Sequence, residues 1–544
     1  MNTLLLLYLA GIILQSPAAV ILSGAGTPEE MDSQTVETLR QLSLNPVPLN
    51  TASRSRLMGC GLFTHYQVAS ILEYRERTGG ILSFTELSLV DGIGYEFADA
   101  IREYVSLDSR LPPGQRRKTS FRGSLTGRYG SSGYLAKTSI ELGDVAELCL
   151  SSKDAVPYTG AVALYGRRYL GKVVLGAFNA RFGQGLALWS GMSMSGFSSP
   201  DAFCRHATGV SLSTSTSPAN YGVAADMNFG RWTLSGLLAV DWKKDVLSLR
   251  PALNIGWLGR TGEFSITAAA GPGSAVVSAD TRWHLGRLDI FSEAALDLYS
   301  LAPAAVLGIR QDPDYQVNWT VLGRWYSPTY SSPGAAGVRS GSKTADEAGL
   351  SAGTRIKWFY ATADAAWHPR AQSFQAKALL GASPEFDIGK VHLIPSVRIG
   401  ERFRPADKSP WKTDLRAEAD VASGPWHTHF RWSGCLCREF AWLWYAEGGY
   451  KSERLSAYIR GGLFKVDNWD DRIYVYERDV PGTFNVPAYY GRGWSASAVV
   501  GCKLGSGRRL RHQLNGRIAT VQYPWTEPAK DAKMEWRVQY SLKW

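Results

Sequence analysis

The chain has 544 residues, a formal net charge of +11, 20% charged and 12% aromatic side chains, with 56 glycines, 25 tyrosines and 19 tryptophans. A disordered chain would carry more charge and fewer aromatics, and the one long apolar run, residues 4–14, is too short for a helix that crosses a membrane. The length exceeds one ordinary core, so a single core here implies a large barrel or a repeat array.

Residues 4–14 read as the apolar core of an export signal, followed by the small residues Ser16, Ala18, Ala19, Ser23 and Ala25. The expected signal peptide is 1–23, although no basic residue precedes the apolar run. Val36, Leu39 and Leu42 then fall at helical spacing, and Pro46 and Pro48 end that helix. Leu57, Val68, Ile71, Leu72 and Tyr74 give further helix faces. Gly79 and Gly80 stop the helix, and Ser83 with Glu86 is a capping-box pattern that opens the next one. The turn Asp91-Gly92-Ile93-Gly94 precedes a last helix expected over residues 95–105.

This text resembles the paired helix-hairpin-helix domain of competence-type periplasmic DNA receptors. The matching residues are Leu49-Asn50-Thr51-Ala52-Ser53, Tyr74-Arg75, Ser83, Glu86-Leu87 and Gly92-Ile93-Gly94. The resemblance implies backbone amides facing phosphate oxygens without base readout. In the first hairpin Leu62, Phe63 and Thr64 stand where the glycine turn belongs, with Gly59 and Gly61 out of register, so that hairpin reads as structural. The expected DNA contacts are Gly92, Ile93, Gly94 and Tyr95, aided by Arg116, Arg117 and Lys118 of a stiff basic linker over residues 108–118. Charge argues the other way. Residues 45–107 carry five basic and seven acidic side chains, and Asp91 and Glu96 flank the turn, whereas duplex binding draws mainly on Lys and Arg. A protein-docking role for the same module therefore stands beside the DNA role.

From residue 119 to 544 the pattern is strand alternation. Lys412, Asp414, Arg416, Glu418 and Asp420 face one way, and Thr413, Leu415, Ala417, Ala419 and Val421 the other. Residues 533–544 repeat it. A charged face opposite an apolar face over roughly 10 to 12 residues suits a wet lumen inside a lipid-facing wall. The fold class expected is mostly β, a large antiparallel transmembrane β-barrel of about 20 to 24 strands, with a small N-terminal all-α helix-hairpin-helix domain over residues 29–107. Segments before residue 119 sum to −2, so the barrel carries +13, set either in the lumen, where it favours anions, or at rims facing lipid and lipopolysaccharide phosphates. Three segments exceed a turn: residues 181–208, 326–349 and 467–493. The first, rich in glycine, is the one expected to fold inward. Its Phe182-Gly183-Gln184-Gly185-Leu186-Ala187-Leu188-Trp189, with Val486-Pro487-Ala488-Tyr489-Tyr490-Gly491, resembles a family of envelope proteins that join such a module to a large barrel; that resemblance implies architecture and no activity.

No catalytic motif emerges, and an enzyme, a cofactor and a metal are not expected. Cys435 and Cys437, or His427 and His429, share a strand face without a further ligand beside them. The reading is an exported protein of a Gram-negative outer membrane, its module in the periplasm. It would bind or guide DNA, or else dock a periplasmic protein partner or conduct another solute.

Overall fold

The computed structural model describes residues 25–31, 33–107, 121–154, 156–166, 168–191, 198–243, 246–311, 317–504, 510–527 and 530–544. The expected signal peptide, and Arg116, Arg117 and Lys118 of the expected basic linker, lie outside the described residues.

The N-terminal module is built from helices α1 (Ser33–Leu44), α2 (Arg54–Gly59), α3 (His65–Thr78), α4 (Phe84–Leu87) and α5 (Gly94–Ala100). Side-chain caps set their starts. Ser53 Oγ accepts from Arg56 N, Thr64 and Gln67 form a reciprocal capping box, and Ser83 Oγ accepts from Glu86 N. The second arm expected at Ser83 goes elsewhere: Glu86 accepts from Leu82 N instead. Gly79 ends α3 at φ +79°, a left-handed conformation that costs glycine nothing. The last helix is shorter than expected, because Val105 leaves it to pair in parallel with Val47. That two-residue ladder ties the end of the module to its beginning. Val36, Leu39 and Leu42 are buried as the spacing predicts, and Leu62 and Phe63, the residues that replace the first glycine turn, are fully enclosed in the module core.

Beyond the module the described residues form a closed antiparallel barrel. The short segment Phe386–Ile388 continues Ser373–Ala382, both pairing with Val391–Phe403. Gly209–Leu212 and Asn220–Phe229 likewise both pair with Leu170–Arg181. With these merged the wall has 24 strands, and Phe121–Gly130 pairs with Lys533–Lys543 to close it. Alternation holds around the ring. Ser124 and Thr126 are buried on the inside while Leu125 and Tyr129 are exposed outside, and Val397 and Ile399 are exposed on either side of the inward Arg398. An apolar outer belt around a polar interior is what a membrane-spanning barrel presents.

Both termini of the barrel lie at one end, where Gly123 and Trp544 exchange backbone hydrogen bonds. Antiparallel succession then puts the described parts of all three long connections, residues 182–208, 327–346 and 467–490, at the opposite end. They fold into the barrel. Glu293, on the inner face, accepts from the amides of Gln184, Leu186 and Ala187 at 2.6, 3.0 and 3.3 Å. Tyr330 Oη donates to Leu186 O, and Tyr326 Oη to Val338 O. Arg517 pairs with Glu477 at 2.5 Å. The expected inward segment is thus found inside, together with the other two.

Candidate functional site

The module is not tethered beside the barrel, as the sequence reading has it. It is seated in the lumen at the end where the termini emerge, and its polar side chains reach the wall on every side. Arg56 of α2 is a buried anchor. Its Nη1 lies 2.5 Å from Glu147 Oε2 and 2.9 Å from Tyr165 Oη, and its Nη2 lies 3.1 Å from Glu141 Oε1. All four side chains are buried. Next to it, Lys172 pairs with Asp226 at 2.8 Å and donates to Met58 O at the end of α2. Further round, Tyr66 donates to Arg260 O in a turn and stacks on His284 with ring centroids 4.7 Å apart. Glu96 meets Arg355 at 3.3 Å. Glu37 of α1 meets Lys137 at 2.9 Å, and Gln41 donates to Ser139.

The segment before α1 crosses to the far half. Glu29 lies 2.5 Å from Arg431 Nη1 and 3.3 Å from Arg416 Nη1, and it accepts from Tyr476 N of the last long loop. Burial works against its ionised form, but the two guanidiniums outweigh it and hold its carboxyl well below the usual range. The inward loops meet the module as well. His206 Nε2 is 3.0 Å from Leu62 O, which requires the ring to donate there, and its ring packs on Phe97. Burial pushes His206 down to about 3 and His65, at the start of α3, down to about 4, so both are neutral.

Gly92 and Gly94 adopt φ of +76° and +69°, as a glycine turn requires. Gly92 and Tyr95 are exposed and Ile93 is buried. The Ile93 amide already donates to Val90 O, Gln67 donates to Gly92 O, and the helix that follows has only seven residues. The structure brings Gly92, Ile93, Gly94 and Tyr95 together and places no described cation among them. Both nitrogens of His429 are engaged, by Asp420 and Tyr445 Oη. The anchors Arg56, Lys172 and Glu29 carry no local signature in the sequence; only their distant partners mark them.

No family model matches the chain, and no curated protein matches it. Solved structures do. The chain is similar to Pseudomonas aeruginosa OccK10 (OpdN), 11% identical, covering 57% of this chain and 97% of that one, TM-score 0.32. It is similar to Pseudomonas aeruginosa OccK5 (OpdH), 8% identical, covering 78% and 97%, TM-score 0.29. It is also similar to a chain of the FpvAI–pyocin S2 complex, 9% identical, covering 79% and 70%, TM-score 0.36. At such superpositions the barrel rests on its own strand pairing.

Proposed function

We propose that the chain is an outer-membrane channel whose lumen is closed by its own N-terminal module, and that passage of a solute follows displacement of that module as a folded unit. The observation that carries this reading is the module's self-contained core. Its buried apolar cluster runs from Ala25 to Val105, and among the described residues Phe484 of a loop is the one apolar side chain from outside the module packed against it. Contact with the wall is made mainly by ion pairs and hydrogen bonds, with the Tyr66 ring stacked on His284 beside them. Removing the module from the lumen therefore uncovers polar groups to water and leaves its core intact, whereas a structural filling would share apolar surface with the wall. Planar bilayers test this: the full chain should be closed, and the chain lacking residues 27–107 should conduct. A closed deletion variant refutes it.

Guiding DNA is the narrower form of the same reading. The exposed turn at Gly92 supports it, and the engaged Ile93 amide with Asp91 and Glu96 alongside weighs against it. DNA binding by the full chain that weakens steeply with salt is its test; a Gly92→Asp variant is a poor control, because a Cβ there would come within 2.8 Å of the Tyr66 ring. Docking of a periplasmic partner finds support in Leu82, Leu89 and Tyr95, large apolar side chains that the module leaves exposed.

A further inference from the structure

Between the segment that carries Glu29 and the inner wall lies a cavity of about 350 Å3, within the range of about 300–1,000 Å3 typical of small-molecule sites. Eight Lys or Arg residues line it, against four carboxylate residues. The strand register makes this excess severe. Lys377 stands directly opposite Arg402, and Arg402 opposite Lys412; one level deeper, Arg398 stands opposite Arg416. Directly opposed residues have Cβ atoms about 4.5–5.5 Å apart, and like charges there destabilise a sheet. Some of this charge is answered inside the chain: Glu29 serves Arg416 and Arg431, and Asp407 lies 3.4 Å from Arg402. Arg398 is not answered. Among the described residues it makes no ion pair, and its Nη1 is enclosed without a hydrogen-bond partner.

We propose that this cavity binds a soluble oxyanion with two or more negative charges, carboxylate or phosphate, gripped by Arg398. Its Nη1 is a charged donor left unfilled at the cavity, and a guanidinium is the side chain whose fork matches carboxylate and phosphate. The inner face of the wall separates the site from lipid headgroups. Glu29 is the resident competitor, since its carboxylate already occupies the neighbouring Arg416 and Arg431. Anion binding and seating of the N-terminal segment then oppose each other. The site stands whether or not the module leaves the lumen during transport.

Calorimetric titration of the detergent-solubilised full chain with citrate and with inorganic phosphate, at low chloride, tests it. Saturable binding of at least one anion is expected. Arg398→Gln should weaken it tenfold or more, and Glu29→Gln should tighten it by freeing Arg416 and Arg431. Lys390→Gln, exposed in a turn at the other end, should change nothing. The heat-dependent gel shift of a folded barrel certifies each variant, and Lys377→Gln replaces Arg398→Gln should the latter not fold. No saturable binding of either anion up to about 10 mM, beyond the weak end of ordinary affinities, overturns the proposal. Undiminished binding by the folded Arg398 or Lys377 variant overturns it equally. Bilayer conductance of the module deletion is read separately, so failure here leaves the closure reading standing, and the reverse.

Discussion

Replacing Arg56 by methionine should unseat the module. The guanidinium neutralises two carboxylates, Glu141 and Glu147, and holds the Tyr165 hydroxyl, all in a buried corner of the lumen. Methionine keeps the bulk and removes the charge. Two like charges are then left unpaired side by side. Breaking a buried pair by removing one partner costs about 3–5 kcal/mol, and relief by water or protonation in a lumen favours the lower end. That is roughly two to three powers of ten in the balance between seated and displaced module. Single-channel recording should show open events that the parent lacks, and hydrogen exchange should show lost protection of α2. Adding Glu141→Gln and Glu147→Gln to the variant should restore much of the closure, because no unpaired charge remains; the coupling is a mutant-cycle measurement. The reasoning fails if Arg56→Met alone leaves both exchange and conductance at parental levels while the module deletion conducts, or if the triple variant is no better than the single one.

Acid should loosen the seated module. His65 and His206 are held neutral with pKa values of about 4 and about 3, and displacement returns them to about 6.5. The displaced state thus takes up protons that the seated state refuses, so seating is full above pH 6.5 and weakens as pH falls toward 4. At pH 5 each histidine costs about 2 kcal/mol; α2 exchange that is flat from pH 7.5 to 5 refutes this. Below the ordinary carboxylate range Glu29 acts in the same direction, since protonation removes its pairs with Arg416 and Arg431. Glu293→Ala should free the amides of Gln184, Leu186 and Ala187, at about 1–3 kcal/mol for each buried group left unsatisfied. In the module-deleted chain it should raise conductance or its noise, and an unchanged trace counts against the inward loop as a constriction. The fragment of residues 25–107 should fold alone with a cooperative thermal transition, since its apolar cluster is its own; a featureless melt would make the barrel its template.

The barrel was legible because a strand has period two and a lipid-facing wall needs one face apolar. Lys412 to Val421 states that requirement within ten residues. Helix starts were legible for the same reason of locality: Ser83 caps through Glu86, and Gly79 stops α3 within the window that shows it. Val105 carries no such local mark, because its partner, Val47, lies 58 residues away across a parallel ladder. The seat of the module was hidden by the same kind of distance, since Arg56 answers carboxylates about 90 residues away and Glu29 answers arginines about 400 away. An export signal followed by a helical unit and a proline-rich basic stretch suggests a tethered domain, and nothing local contradicts it.

The net charges of module and barrel have a joint meaning that neither shows by itself. The acidic excess of the module argues against gripping phosphate, and the basic excess of the barrel suggests an anionic cargo, when each is taken alone. Together they describe an internal fit. Glu29, Glu37 and Glu96 each meet a lysine or arginine of the wall, while Arg56 fits the wall's local reversal at Glu141 and Glu147. Such an interface is strong when every charge is matched and weak when one is taken away, because buried ions gain little from pairing yet lose much from being left alone. An apolar seal would fail gradually as atoms are trimmed. A contact of matched ions fails in steps, at single residues or by protonation, and on the channel reading proposed above such steps would let the module leave the lumen.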